Sequence, residues 1–480
     1  ESIVQRPGAT YRDLIGRYIP GWHGLMMAPR NRPEQPAVVW PGEALARNIP
    51  PGSQIVQLLI RTGHAPEHLV EVAQPTGPML WRFQTIHCVR PTPNEPVLQL
   101  VRGNRPLPAR PISEASIEQM AKRMTDHLLR RVRENGSVLG PFAPAAGRYH
   151  PQTAEPENAA LLAYALARRA ADLGDEQNPR RNQLIEQARH VLLRLADGPA
   201  QTVPQLSPAA AAMLVLTWHA LPDHPPTRPI CQTLSQRLLG LAARDMRQRP
   251  ADPDPDDPAA APRIPTPVQG LVIAALAREH RRTRDAALAQ TLEQQLGRLV
   301  ETIDIPRAIT SAGALAIAMR HWQPDPHSEA AATVRQTWRA KLADATTELR
   351  RSQIISVEAG LPADVVGGIP IDSAVDRLGQ WREPDWRTAT AMALLAAAIA
   401  EPDLLPRDEK LATLLAGSRA ARFVAQLMFD RVSAYYVRQP EEAIGGVRPS
   451  LWDHNLGIPP TAASLIATTD LLATIEQLSK

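Results

Sequence analysis

Residues 207–221, Ser-Pro-Ala-Ala-Ala-Ala-Met-Leu-Val-Leu-Thr-Trp-His-Ala-Leu, constrain this chain more than any other stretch. They open on a capping serine with proline at the first helical position, run on through small and aliphatic residues, and stop at Pro222. A helix that is apolar nearly all round must be buried on every side. Versions of the pattern recur at 158–168, 267–277, 309–319, 387–400 and 461–472, separated by longer helices with ordinary one-sided patterns.

Six buried helices alternating with six amphipathic ones predict a closed double ring over residues 113–480. Ser113 caps the first helix, expected to Asn135, with Ile117, Met120, Met124, Leu128 and Val132 on one face and Gly136 beyond its end. Five pairs follow: 157–173 with 179–197, 208–221 with 229–246, 267–280 with 283–302, 309–322 with 328–351, and 385–400 with 406–431. In each the first helix is Ala-rich and inner. The second is outer, with stripes such as Leu288, Leu292, Leu296, Leu299 or Val334, Trp338, Leu342, Leu349. The last helix, 459–478, has no successor and is expected to pair with the first. An open solenoid is the alternative, but it needs polar capping helices at its ends.

Residues 1–112 have a different texture and predict a small α+β domain. Short β-prone runs stand at 37–40, 55–60, 79–89 and 97–101, with a helix near 44–48 or 65–72. Residues 103–111 read as an extended connector.

Composition excludes several functions. The net charge of +4 is spread without a basic stripe, and apart from Lys122, Lys341, Lys410 and Lys480 the basic residues are arginine, so no nucleic-acid partner is expected. The doublets Arg168-Arg169, Arg180-Arg181 and Arg350-Arg351 read as solvated faces. Cys88 and Cys231 fall in different regions and make neither a disulfide framework nor a metal cluster. No uninterrupted apolar run reaches about eighteen residues, so no membrane span is expected. The first residue, Glu1, is not Met, which fits either removal of a targeting segment or a trimmed sequence; an exported protein, periplasmic or extracellular, is the expectation and a cytoplasmic one the alternative.

Links from inner to outer helices are short, whereas those from outer to inner helices are mostly long: 137–156, 247–266, 352–384 and 432–458. The long links therefore share one rim, at the N-terminal ends of the inner helices. Functional residues concentrate on such loops. The positive helix-dipole ends gathered there favour an anionic group or a carboxylate.

At the level of helix pattern, 113–480 resembles the (α/α)6-toroid proteins: six-hairpin glycosidases, polysaccharide lyases, sugar epimerases, and the related rings of terpenoid cyclases and protein prenyltransferases. The resemblance implies the fold; activity carried over from it is analogy. Gly147-Arg148-Tyr149-His150-Pro151 with Glu155-Pro156-Glu157-Asn158 looks like the segment leading into the first inner helix of such rings. Gly445-Gly446-Val447-Arg448-Pro449-Ser450-Leu451-Trp452-Asp453-His454 looks like the segment before the last. These two segments should be neighbours across the ring closure. Tyr149, Glu157, Asp453 and His454 become the candidate catalytic set, with His150, Arg448 and Trp452 binding ligand. A sugar site wants an aromatic platform, a proton donor and carboxylates about 5–10 Å apart.

The longest link carries a second candidate ligand-binding group, Asp372, Asp376, Trp381 and Trp386. Its blander reading has Asp385 capping the next helix while Asp372 and Asp376 solvate a lid. Asp254, Asp256 and Asp257 match the DxDD pattern of terpenoid cyclases, but they lie in a Pro/Asp connector and the chain holds too few Phe and Tyr for an aromatic-lined cavity. A toroid zinc site needs Cys and His on the rim, and none is assembled there. No metal and no cofactor are expected. His219, His280 and His321 fall at the opposite rim, as dipole and end-packing residues.

Two functions remain. One is a glycan- or polyanion-binding toroid, extending to glycan processing, that uses the long-loop rim. The other is a catalytically silent structural or partner-binding subunit with the N-terminal domain as its docking module. Two carboxylates facing each other in an open, aromatic-lined pocket would favour an enzyme, and a plugged mouth or paired acids the silent ring.

Overall fold

A computed structural model describes residues 2–3, 5, 18–90, 93–174, 177–196, 206–247, 266–305, 308–357, 361–371 and 383–479. Its inner helices are Pro156–Asp172, Pro208–Ala220, Thr266–Thr283, Ile309–His321, Thr388–Ala400 and Ile458–Ser479. Each packs on the next, and the last packs back on the first, so the ring is closed. The outer helices are Glu114–Arg130, Pro179–Ala196, Arg228–Arg247, Ala286–Thr302, Glu329–Ser352 and Arg407–Leu427. Helix 114–130 packs on 458–479, the pairing that closes the outer layer. The chain is mainly α, an (α/α)6 toroid.

Local chemistry explains the boundaries. Ser207 Oγ accepts from the Ala210 N–H at 3.2 Å, Pro208 fills the first turn, and Ala209–Ala212 and Leu214–Trp218 are all buried. Ser113, Asp285 and Ser328 cap outer helices the same way. The first outer helix ends at Arg130, short of the expected Asn135, because Val132 turns to bridge Val138. Helix 458–479 is long and apolar enough to cross a membrane, but it is mostly buried as a wall of the ring. Its apolarity serves two layers of neighbours.

The N-terminal region holds a three-stranded antiparallel sheet, with His23–Ala28 central between Ala37–Val39 and Met79–Gln84. Leu25 stands opposite Val39 on one side and Arg82 on the other. Its core is Leu25, Met27, Val39, Ile55, Leu58, Leu59, Val72 and Leu80. The run 55–60, expected as a strand, lies in the helix Pro51–Arg61, where Ile55, Leu58 and Leu59 form the buried face. The central strand lacks β-branched residues, which hid it.

The 103–111 connector is not a free tether. Asn104 Nδ2 donates to the Gln426 carbonyl, Gln426 Oε1 accepts from the Leu107 N–H at 2.8 Å, and Arg422 Nε donates to the Pro108 carbonyl at 3.1 Å. It is stitched along the outer helix 407–427.

Candidate functional site: the rim and the axial cavity

The segments 147–158 and 441–458 do meet at the ring seam. Phe142 and Leu456 exchange backbone hydrogen bonds of 3.0 and 2.9 Å, and the Tyr149 hydroxyl donates to Glu442 Oε2. Arg131 lies over the Tyr149 ring at 5.6 Å. Burial, reinforced by the hydrogen bond to Glu442, pushes the phenol upward and keeps it protonated. Glu157 and His150 are exposed.

Asp453 and His454 serve another contact. Asp453 Oδ1 accepts from Asn48 Nδ2 at 2.9 Å, and the His454 N–H donates to Asn48 Oδ1 at 2.8 Å, so the pair grips the N-terminal region. The His454 ring is 2% exposed, with Nε2 facing Arg448 Nη1 at 2.9 Å and Nδ1 hydrogen-bonded with the Tyr436 hydroxyl. An arginine can only donate, so Nε2 is the acceptor and Nδ1 carries the proton. Burial first, then the Arg448 charge, hold this imidazole neutral well below its ordinary titration range. Arg448, itself buried, also donates to the Gln426, Leu427 and Leu451 carbonyls, which makes it a staple of the seam. Trp452 is half-buried.

Asp372, Asp376 and Trp381 lie outside the described residues, as does the 254–257 motif. Asp385 is engaged with its neighbour, accepting from the Arg387 N–H at 2.8 Å and from its Nε at 2.9 Å. Between them, Trp386 is half-buried, its backbone N–H donating to the Pro449 carbonyl at 3.1 Å.

Trp386 stands over a feature the sequence did not announce. A cavity of about 190 Å³ runs along the ring axis, lined by all six inner helices through Leu161, Met213, Leu271, Ile317, Ala393 and Ile466, among others. At its upper end stand exposed Thr310 and Pro267 with half-buried Pro459. Asp453, His454, Tyr149 and Glu157 are not among its lining residues.

The floor is charged. Asp470 accepts from Arg168 Nη2 at 2.7 Å and Arg320 Nη1 at 2.9 Å, with Tyr164 beside them. Burial alone would raise the Asp470 carboxyl, but the two guanidiniums override it and hold it below the usual carboxylate range. Arg168-Arg169 is thus no solvated doublet, since Arg169 is buried and paired with Glu118 and Asp172. Burial first, then the charges of Arg278, Arg320 and Arg168, drop His321 to about 2. His219 is bonded to Glu279 at 3.0 Å on that lower rim.

Fold and cavity together define the class: an (α/α)6 toroid with an apolar axial cavity below the long-loop rim and the Asp470 ion pairs at its lower end. In chain trace it is similar to the α-1,6-mannanase of Salegentibacter sp. HEL1_6, at 9% identity over 75% of this chain and 99% of that one, with a TM-score of 0.45. It is also similar to cellobiose 2-epimerase from Spirochaeta thermophila DSM 6192, at 14% identity over 76% of this chain and 97% of that one, with a TM-score of 0.49. No family model and no curated protein matches the sequence.

Proposed function

We propose that this chain is a glycan-binding toroid that takes its ligand at the rim formed by the N-terminal ends of the inner helices, with Trp386 as the stacking platform. The carrying observation is the position of Trp386 at the mouth of a cavity walled by every inner helix. A half-buried indole offers a sugar's apolar face the flat surface it needs, and Thr310 and Thr390 supply hydroxyls nearby. Binding fits the described acids better than hydrolysis. Asp470, the one acid among the described residues lining the cavity, is engaged by two arginines, and a general acid or nucleophile needs a free oxygen facing the ligand.

The test is a titration with a panel of neutral and acidic oligosaccharides, followed by tryptophan fluorescence. A Trp386→Ala variant is expected to weaken binding on the order of tenfold. Equal affinity in that variant, or no binding across the panel, sinks the proposal.

One observation favours the silent-subunit reading. The residues expected to be catalytic, Asp453 and His454, clamp Asn48 and so dock the N-terminal region on the ring. In that reading residues 1–112 are a separate α+β domain presenting a partner surface. Glycan binding that depends on Trp386 would exclude it.

A further inference from the structure

The axial cavity narrows the ligand further. On three inner helices residues lining the cavity recur every three or four positions, and the lining changes with depth. In Ile309–His321 the series is Gly313, Ile317, Arg320, in Ile458–Ser479 it is Ala463, Ile466, Asp470, and in Thr388–Ala400 it is Thr390, Ala393, Ala397. Apart from Trp386, Thr310, Thr390 and Tyr164 the lining is small or aliphatic, and its two charged residues, Arg320 and Asp470, come last on their helices. From Thr310 to Arg320 an α-helix rises about 15 Å.

A sugar does not belong in this shaft. Its hydroxyls would lose water against Leu161, Met213, Leu271, Ile317 and Ile466, which offer no hydrogen bonds, and each unpaired polar group is costly. The floor carboxylate already has two guanidinium partners. Yet the shaft is large for a packing void: apolar cavities of about 150 Å³ stay dry and take up apolar molecules. Gly313, Ala393, Ala397 and Ala463 keep it lined by small side chains, and a Cβ on Gly313 would lie 2.8 Å from Thr390 Cγ2, so at this position the two helices pack too closely for a side chain.

We infer that the ligand is amphiphilic: a glycan head at the rim and one unbranched aliphatic chain reaching down the axis toward Arg320 and Asp470. This rests on the rim reading for the head; the cavity lining alone argues for the chain.

The experiment uses the whole chain and n-alkyl β-glucosides from hexyl to nonyl below their micelle-forming concentrations, with glucose and octanol as controls. Affinity is expected to rise about fourfold per added methylene, from about 0.8 kcal/mol for each buried CH₂. Ala393→Phe and Ala463→Leu fill the shaft from neighbouring helices. In variants shown folded by circular dichroism and thermal melting, the dependence on chain length should vanish. Affinity independent of chain length, or a dependence that survives both filled variants, overturns the inference. Oligosaccharide binding through Trp386 without any gain from alkyl chains removes the chain and leaves the rim reading. Length-dependent binding of alkyl glucosides and octanol alike, without oligosaccharide binding, supports the chain and removes the glycan head.

Discussion

Arg102 and Asp364 form a bidentate pair with both side chains fully buried, Nε to Oδ2 at 2.8 Å and Nη2 to Oδ1 at 2.7 Å, although 262 residues separate them. Arg102 also meets Glu383, so one guanidinium just before the 103–111 connector reaches the longest rim link at both Asp364 and Glu383. A buried pair is a poor source of net stability, but a broken one is expensive. Asp364→Ala is expected to destabilise by about 3–5 kcal/mol, toward the lower figure because Glu383 remains. The double replacement Arg102→Met with Asp364→Leu should lose much less. Urea unfolding of the three proteins decides; equal losses in the single and double variants would show that charge pairing is not the issue.

The cavity floor makes a similar prediction with a pH signature. Asp470 is depressed on folding, so its contribution is present above the ordinary carboxylate value and is lost as pH falls through the lower, folded value. Asp470→Asn should cost about 2–4 kcal/mol at neutral pH, less than for a wholly buried pair because Arg320 is 36% exposed. The variant should also show a shallower loss of stability below about pH 4. An unchanged acid limb would disprove the pairing.

His127 and His454 are buried, and burial followed by arginine neighbours holds both neutral, well below the usual imidazole range. Below about pH 6.5 the unfolded chain takes up protons that the native one refuses, so stability falls on acidification by up to about 1.4 kcal/mol per pH unit for each ring. His127→Gln and His454→Gln should each flatten the decline in urea midpoint between pH 7.5 and 5.5 by about one proton's worth. A slope identical to the parent in both would mean these rings titrate normally.

Gly445 tests the seam. It sits at φ +86°, and a Cβ there would lie 2.2 Å from the Arg123 carbonyl oxygen of the first outer helix. Gly445→Ala combines left-handed strain with a backbone clash and should destabilise by more than about 1 kcal/mol. Gly52, with open space around its would-be Cβ, is the control and should tolerate alanine within about 0.5 kcal/mol. Similar melting temperatures for the two variants would count against the seam geometry.

The ring was legible because its signal is redundant. Six apolar helices with caps and proline breaks specify order and layer, and the seam between 147–158 and 441–458 follows from closure alone. The partners of charged side chains were not legible. Arg168 read as half of a solvated doublet, when it reaches the acid of a helix 302 residues away. A signal was available: Asp470 is the sole charge between Gly457 and Ile475, in register with Ala463 and Ile466. Asp453 and His454 have the right residue types for a sugar site, but type does not reveal that Asn48 arrives from outside the ring to occupy them.

Closing the circle with helix 458–479 also dictates an order of events during synthesis. Helices 114–130 and 156–172 emerge long before 458–479, and the flank each turns toward that helix stays uncovered until it has left the ribosome. Contacts of such long sequence separation form late. A premature stop shortly before Ile458 would therefore strand a greasy, unsealed arc, a substrate for chaperones and proteases, although every other wall had already been made.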